Sequence, residues 1–187
     1  MVLQWVAANT LGCAVARWIV LRAVRFPYNY GSDQTCWPGI AQCVPVGIAC
    51  GAIIGIAQWT VLRRTLRLSP SWILGACLTS VVSDLHFRLV DNLSSFVMLV
   101  AATALAAVVQ VWILRGHVRR TALWPVAAVL SCLAGWFAGM WVGFSWVRDM
   151  DAVDFLAGGA AGGCAAGLAS APLLALMLRR RITAAEC

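Results

Sequence analysis

The sequence predicts an all-α membrane protein, with six transmembrane helices forming three pseudo-repeated helix–basic turn–helix units. Three observations carry this reading. Of 187 residues, 62% are hydrophobic and 11% are charged, whereas a soluble domain carries about a quarter charged residues. The apolar runs reach the roughly 20 residues a helix needs to cross a bilayer. Finally, one pattern recurs. Counted from Gln58, the chain places Leu62, Arg63 and Trp72 at plus four, plus five and plus fourteen, and the same offsets from Gln110 give Leu114, Arg115 and Trp124. Self-similarity of this kind marks a fold built by repeating one supersecondary unit.

A third, partial copy emerges when Leu178-Arg179 is aligned on Leu62-Arg63. The small residues Gly47, Gly51 and Gly55 of the first copy then correspond to Gly163, Gly167 and Ala171, and the Gln position becomes Leu174. The second copy has Leu99, Thr103 and Ala107 in that column. Trp5 opens an apolar helix as Trp72 and Trp124 do, so the order along the chain reads half, whole, whole, half. A shared unit puts helix 6 beside helix 1 and closes a ring. The small-residue faces of helices 2, 4 and 6 are expected near its axis, because only small side chains let helix backbones converge.

The six helices of this single domain are expected at about 3–23, 45–63, 71–90, 94–114, 123–146 and 153–178. Helix 1 carries Gln4, Asn9 and Arg17; lacking a charged leader and a clean cleavage site before Arg17, it reads as a retained span rather than a signal peptide. The connection 26–44 contains Pro27, Gly31 and Pro38-Gly39, all helix breakers. Helix 2 ends in the basic turn Arg63-Arg64-Thr65-Leu66-Arg67, and helix 3 starts beside Pro70, tolerated in a first turn. Within helix 3, Asp84 and Arg88 share a face at i, i+4. Helix 4 ends at Arg115 and helix 5 opens with Pro125 in its first turn and carries Gly135, Gly139 and Gly143. Helix 6 is Gly- and Ala-rich and ends at Arg179-Arg180-Arg181.

Charge sets the orientation. All fourteen basic residues are Arg. The ends of helices 2, 4 and 6 hold nine of them (Arg63, Arg64, Arg67, Arg115, Arg119, Arg120, Arg179, Arg180 and Arg181) against Glu186, a net +8. The opposite side holds five Arg against six Asp, a net −1. The Arg-rich side is therefore cytoplasmic, and six spans put both termini there, in a bacterial cytoplasmic (inner) membrane. The clusters at helix ends follow topology and do not form a nucleic-acid surface. Trp5, Trp59, Trp72, Trp112 and Trp124 are expected in the aromatic belt of that boundary.

The run Gly55-Ile56-Ala57-Gln58-Trp59-Thr60-Val61-Leu62-Arg63, with Trp72 downstream, resembles uncharacterised bacterial multi-pass membrane proteins that repeat Gly-rich helices ending in Gln-Trp-x-x-Leu-Arg. The second copy departs from that motif, with Val111 where it has Trp. The resemblance implies an architecture and no activity.

The candidate functional residues are few. Gln58 and Gln110 lie about one turn inside the Arg-rich boundary, where interhelical hydrogen bonding is the simpler role and lining a polar path the alternative. As interhelical glue, Gln58 is worth about 1 kcal/mol. His86 is the one candidate cofactor ligand, although pairing with Asp84 or Asp91 accounts for it more simply. His117 lies in a basic turn, where solvation is expected. The nine Arg of the cytoplasmic turns are candidates for anionic lipid head groups. Cys36 and Cys43 fall in the longest loop on the non-cytoplasmic side, where a disulfide persists. No nucleophile–base pair, metal cluster or phosphate loop is spelled out, so an enzyme is not expected, and no cofactor is specified. The leading class is a non-catalytic structural or accessory subunit with lipid and other membrane-protein subunits as partners. A small-solute transporter or channel and a pigment- or haem-binding protein are the alternatives.

Overall fold

The computed structural model describes residues 1–23, 37–89, 94–115, 117–118, 120–146 and 152–182. Among them the chain is all-helical: α1 (Val2–Ala23), α2 (Trp37–Leu66), α3 (Ser71–Leu89), α4 (Ser94–Leu114), α5 (Trp124–Trp146) and α6 (Ala152–Ile182), with a 3-10 turn at Thr121–Leu123 leading into α5. The stretches Val44–Leu66, Thr121–Gly139 and Leu156–Leu178 are long and apolar enough to cross a membrane. Ser71–Ser83 and Leu99–Leu114 are shorter apolar stretches.

Each helix packs against its neighbours in sequence, and α6 returns to pack along α1, closing a ring. Among the described residues α1 does not reach α4. The outward surface is strongly apolar: Leu3, Leu11, Leu74, Val97, Leu105, Trp112 and Trp141 are all exposed, Leu105 by 72% and Trp112 by 76%. Exposed apolar side chains in such number mark surfaces that meet a membrane or another protein.

Small residues hold the tightest seams. A Cβ on Gly51 would fall 2.4 Å from the Cα of Cys77, and one on Gly47 would fall 2.6 Å from the Cα of Val81, so α2 and α3 are in backbone contact. Likewise a Cβ on Gly163 would lie 2.4 Å from the Asn9 carbonyl oxygen, and one on Gly167 would lie 2.9 Å from the Val6 Cα, joining α6 to α1. Gly135 faces the Gly162 carbonyl and Gly139 the Gly158 carbonyl, joining α5 to α6. The glycine columns of α2 and α6 therefore face their partner helices α3 and α1 and not a common axis, which corrects the expectation that small faces line the centre. Only Gly lets the backbones approach so closely, and the approach is rewarded by dispersion contacts. In α4 the corresponding positions Leu99, Thr103 and Ala107 are buried, and Thr103 Oγ1 donates to the Cys132 sulfur of α5 over 3.4 Å.

Three boundaries differ from the sequence reading, among them the end of α2, which runs to Leu66 instead of about 63. α2 begins at Trp37 instead of about 45, so Pro38 falls in its first turn and Pro45 within it. Pro is tolerated in a first turn because the N–H it lacks has no intrahelical partner there. Pro45 removes one i→i−4 bond within the helix. α6 runs on to Ile182, with Pro172 inside it. The proposed Cys36–Cys43 bridge lies outside the described residues, apart from the helical backbone at Cys43.

Candidate functional site

The largest fully buried side chains gather at the Arg-rich end of the ring. Trp5 of α1, Trp72 of α3 and Trp124 of α5 are 1%, 0% and 4% exposed. Their indoles meet edge to face: Trp5 and Trp124 with centroids 6.0 Å apart, Trp72 and Trp124 with centroids 5.2 Å apart. Leu62, Leu66, Leu114, Leu174, Met177 and Leu178 surround them. These three tryptophans are core residues and not members of an interfacial belt, contrary to the expectation from sequence, whereas Trp112 is 76% exposed.

A buried indole N–H needs an acceptor, and each of the three has one. Trp72 Nε1 donates to Gln58 Oε1 (3.1 Å) and Trp124 Nε1 donates to Gln110 Oε1 (2.7 Å). The two pairs share the separation of 14 residues, so the Gln–Trp spacing that recurs in sequence is a hydrogen bond across a helix hairpin. In the third position the partner is Ser170, whose Oγ accepts from Trp5 Nε1 at 2.9 Å. Ser170 stands one turn before Leu174. Alignment on Leu174 conceals it; the signal that finds it is the only Ser of the Gly/Ala-rich stretch between Phe155 and Pro172.

The polar groups link up. Gln58 Nε2 donates to Asn9 Oδ1 (2.9 Å), and Asn9 Nδ2 donates to the Trp5 carbonyl (2.9 Å). Ser170 Oγ donates in turn to the Ala166 carbonyl (2.9 Å), which also accepts from Ser131 Oγ of α5 (2.9 Å). One chain of hydrogen bonds thus runs from α3 through α2 and α1 to α6. Among the described residues no sealed side-chain nitrogen or oxygen lacks a partner. A network so completed stabilises one arrangement of helices, since each alternative strands a polar group in an apolar interior.

Outside this cluster the turns are capped. Arg67 closes α2 with φ 53°, its N–H bonded to the Arg63 carbonyl over 3.1 Å, which is a left-handed C-terminal stop. Trp59 Nε1 donates to the Leu68 carbonyl (2.9 Å), and the Arg63 guanidinium lies 4.7 Å from the Trp59 ring centroid. His117 is half-buried, unlike the solvated residue expected, with Nδ1 3.2 Å from the Ile113 carbonyl at the end of α4. Arg63, Arg64, Arg67, Arg115 and Arg120 are exposed, while the side chains of Arg119, Arg179, Arg180 and Arg181 lie outside the description. The side chain of His86 does too, although its backbone belongs to α3. At the other end, the Arg17 stem crosses α6 over Gly159, where an added Cβ would fall 2.8 Å from Arg17 Cγ.

Comparison with protein-family models, with curated proteins and with solved structures returned no match.

Proposed function

We propose that this chain is a non-catalytic integral membrane protein that serves as a structural or accessory subunit of a larger membrane complex. Six spans, half, whole, whole and half of a repeated helix–basic turn–helix unit, close into one ring in a bacterial cytoplasmic membrane, with both termini and the Arg-rich turns cytoplasmic. The likeness to bacterial multi-pass proteins with Gln-Trp-x-x-Leu-Arg repeats belongs to the same reading. The observation that carries it is the plug of Trp5, Trp72 and Trp124 at the Arg-rich end. Its indole hydrogens are all consumed by Gln58, Gln110 and Ser170. A transport path needs polar groups that exchange partners with a passing solute, and these indole donors and the oxygens that accept from them are committed to holding helices together. The glutamines act as glue between hairpin partners, which favours a rigid scaffold over a moving one.

The test is purification from the native membrane in mild detergent, followed by native mass spectrometry and absorption spectroscopy. A partner membrane protein present at fixed stoichiometry, and lost together with the chain when its gene is deleted, is the expected result. A chain that leaves the membrane alone and then drives solute flux in proteoliposomes overturns the proposal in favour of transport. A co-purifying chromophore overturns it in favour of pigment binding.

A further inference from the structure

The two glutamines are not equivalent. Gln58 uses both ends of its amide, accepting from Trp72 and donating to Asn9. Gln110 is only 6% exposed, and its Oε1 takes the Trp124 indole hydrogen at 2.7 Å. Its Nε2 donates to nothing among the described residues, yet it is not one of the sealed orphans, of which there are none. It therefore keeps some accessible surface. The amide itself lies at the seam between α3 and α4, because Gln110 packs over Gly75: a Cβ there would fall 2.8 Å from Gln110 Cγ and 3.6 Å from Nε2. Counting from the Trp that opens each helix, the residue matching Asn9 in α3 is Ala76, which has no side-chain acceptor. The repeat thus supplies the acceptor in one seam and withholds it in the next.

We propose that the α3–α4 seam binds an anionic glycerophospholipid, whose ester carbonyl accepts the spare Gln110 amide hydrogen. Depth agrees with this occupant. Gln110 precedes Arg115 by five residues, about 7.5 Å along the helix. The interfacial layer between hydrocarbon core and outermost head groups is roughly 5–7.5 Å on each side, from a core of about 30 Å in a bilayer of about 40–45 Å. With exposed Arg115 at head-group level, Gln110 lies at the edge of the hydrocarbon, where the esters lie. Charge agrees as well: Arg63, Arg64, Arg67, Arg115 and Arg120 are exposed at this end, where the sequence offers one carboxylate side chain, Glu186, against nine Arg. Exposed Leu74 and Leu78 on α3 and Val108 and Val109 on α4 offer apolar surface to acyl chains. The proposal rests on the membrane reading alone and not on the accessory role.

The probes are a diacyl phosphatidylglycerol, its diether analogue, which keeps the charge but has no ester carbonyl, and a zwitterionic diacyl phosphatidylcholine. Retention on the detergent-purified chain is read by native mass spectrometry. Wild type and Gln58→Leu should hold the diester about fivefold better than the diether, the worth of one hydrogen bond of about 1 kcal/mol. Gln110→Leu should lose that preference. Trp124→Phe should keep it, because it removes the indole partner of Gln110 and not the donor. The anionic diester should also outcompete the zwitterionic one. An ester preference absent from wild type or surviving in Gln110→Leu overturns the carbonyl contact. Equal binding of the two head groups overturns the anionic assignment. The folded state of each variant is verified by circular dichroism before lipid is added, and none of these outcomes depends on whether a partner subunit exists.

Discussion

Replacing Gly51 with alanine isolates the contact that joins α2 to α3. A Cβ at this position falls 2.4 Å from the Cα of Cys77 and 2.6 Å from the Ala76 carbonyl oxygen. Both are backbone atoms, so no rotamer change relieves the overlap, and the helices must part by roughly 1 Å to approach the about 3.5–4.0 Å of ordinary carbon contact. A gap of that size forfeits up to about half of the dispersion well for each atom pair it opens. Gly47 and Gly55 lie on the same seam and lose contact with it. Inserting a methylene into packed interior costs about 1–3 kcal/mol, and the rigid partner here puts the cost at or above the upper end. The gain in helix propensity of about 1 kcal/mol offsets part of it. The net loss of about 2 kcal/mol should lower Tm by about 4–8 °C, at about 2–4 °C per kcal/mol for a chain of this size. Gly139→Ala is the matched control, because its Cβ would meet the Gly158 carbonyl at 3.4 Å, an ordinary contact. Thermal unfolding in one detergent, followed by circular dichroism, compares the two. Equal Tm values, or a more stable Gly51→Ala, would refute the reasoning.

Gln58→Leu should cost about 2–3 kcal/mol rather than the 1 kcal/mol of simple glue, because it leaves both the Trp72 indole hydrogen and Asn9 Oδ1 without their partner; a Tm within 1 °C of wild type contradicts this. Arg67→Gly should stabilise the chain by about 1 kcal/mol, since a residue with a side chain is held at φ 53° there; a lower Tm shows that the Arg67 side chain contributes more than its backbone costs. Reporter fusions at residues 68 and 121 should be active only on the cytoplasmic side. Activity confined to the outer side reverses the topology.

Part of the helix packing was legible in the sequence, because a recurring offset carries spatial information. Gln58–Trp72 and Gln110–Trp124 have one offset and form one contact. The match of Trp5 to Trp72 and Trp124 anticipated α6 lying against α1. The burial of those tryptophans was not legible from their location, since a Trp near a membrane boundary has the same composition signal whether it faces lipid or the bundle. The offset to a polar partner was the discriminating feature, and for Trp5 it was hidden because the acceptor, Ser170, stands one turn before Leu174. The direction of the glycine columns was misread for a related reason. A four-residue period identifies a face without naming its neighbour, and the neighbours proved to be α3 and α1. The early start of α2 was missed because Pro38 and Pro45 read as breaks in sequence, whereas a first turn tolerates the one and the helix continues through the other. The unmatched donor of Gln110 needed coordinates, because sequence counts the glutamine but not which of its hydrogens is used.

Closure of the ring is tested most directly by circular permutation. A turn as long as Arg67–Pro70 would join α6 to α1, and new ends would be placed between Val118 and Thr121, in the connection from α4 to α5. If α6 and α1 are hairpin partners like α2 and α3, the permuted chain should insert, keep the helical circular dichroism of the wild type and unfold at a Tm within about 5 °C of it, about 1–2 kcal/mol at this size. A permuted chain that does not fold, while a nicked chain opened at the same turn without the new link does, would contradict the pairing of α6 with α1 and with it the account of the closed ring.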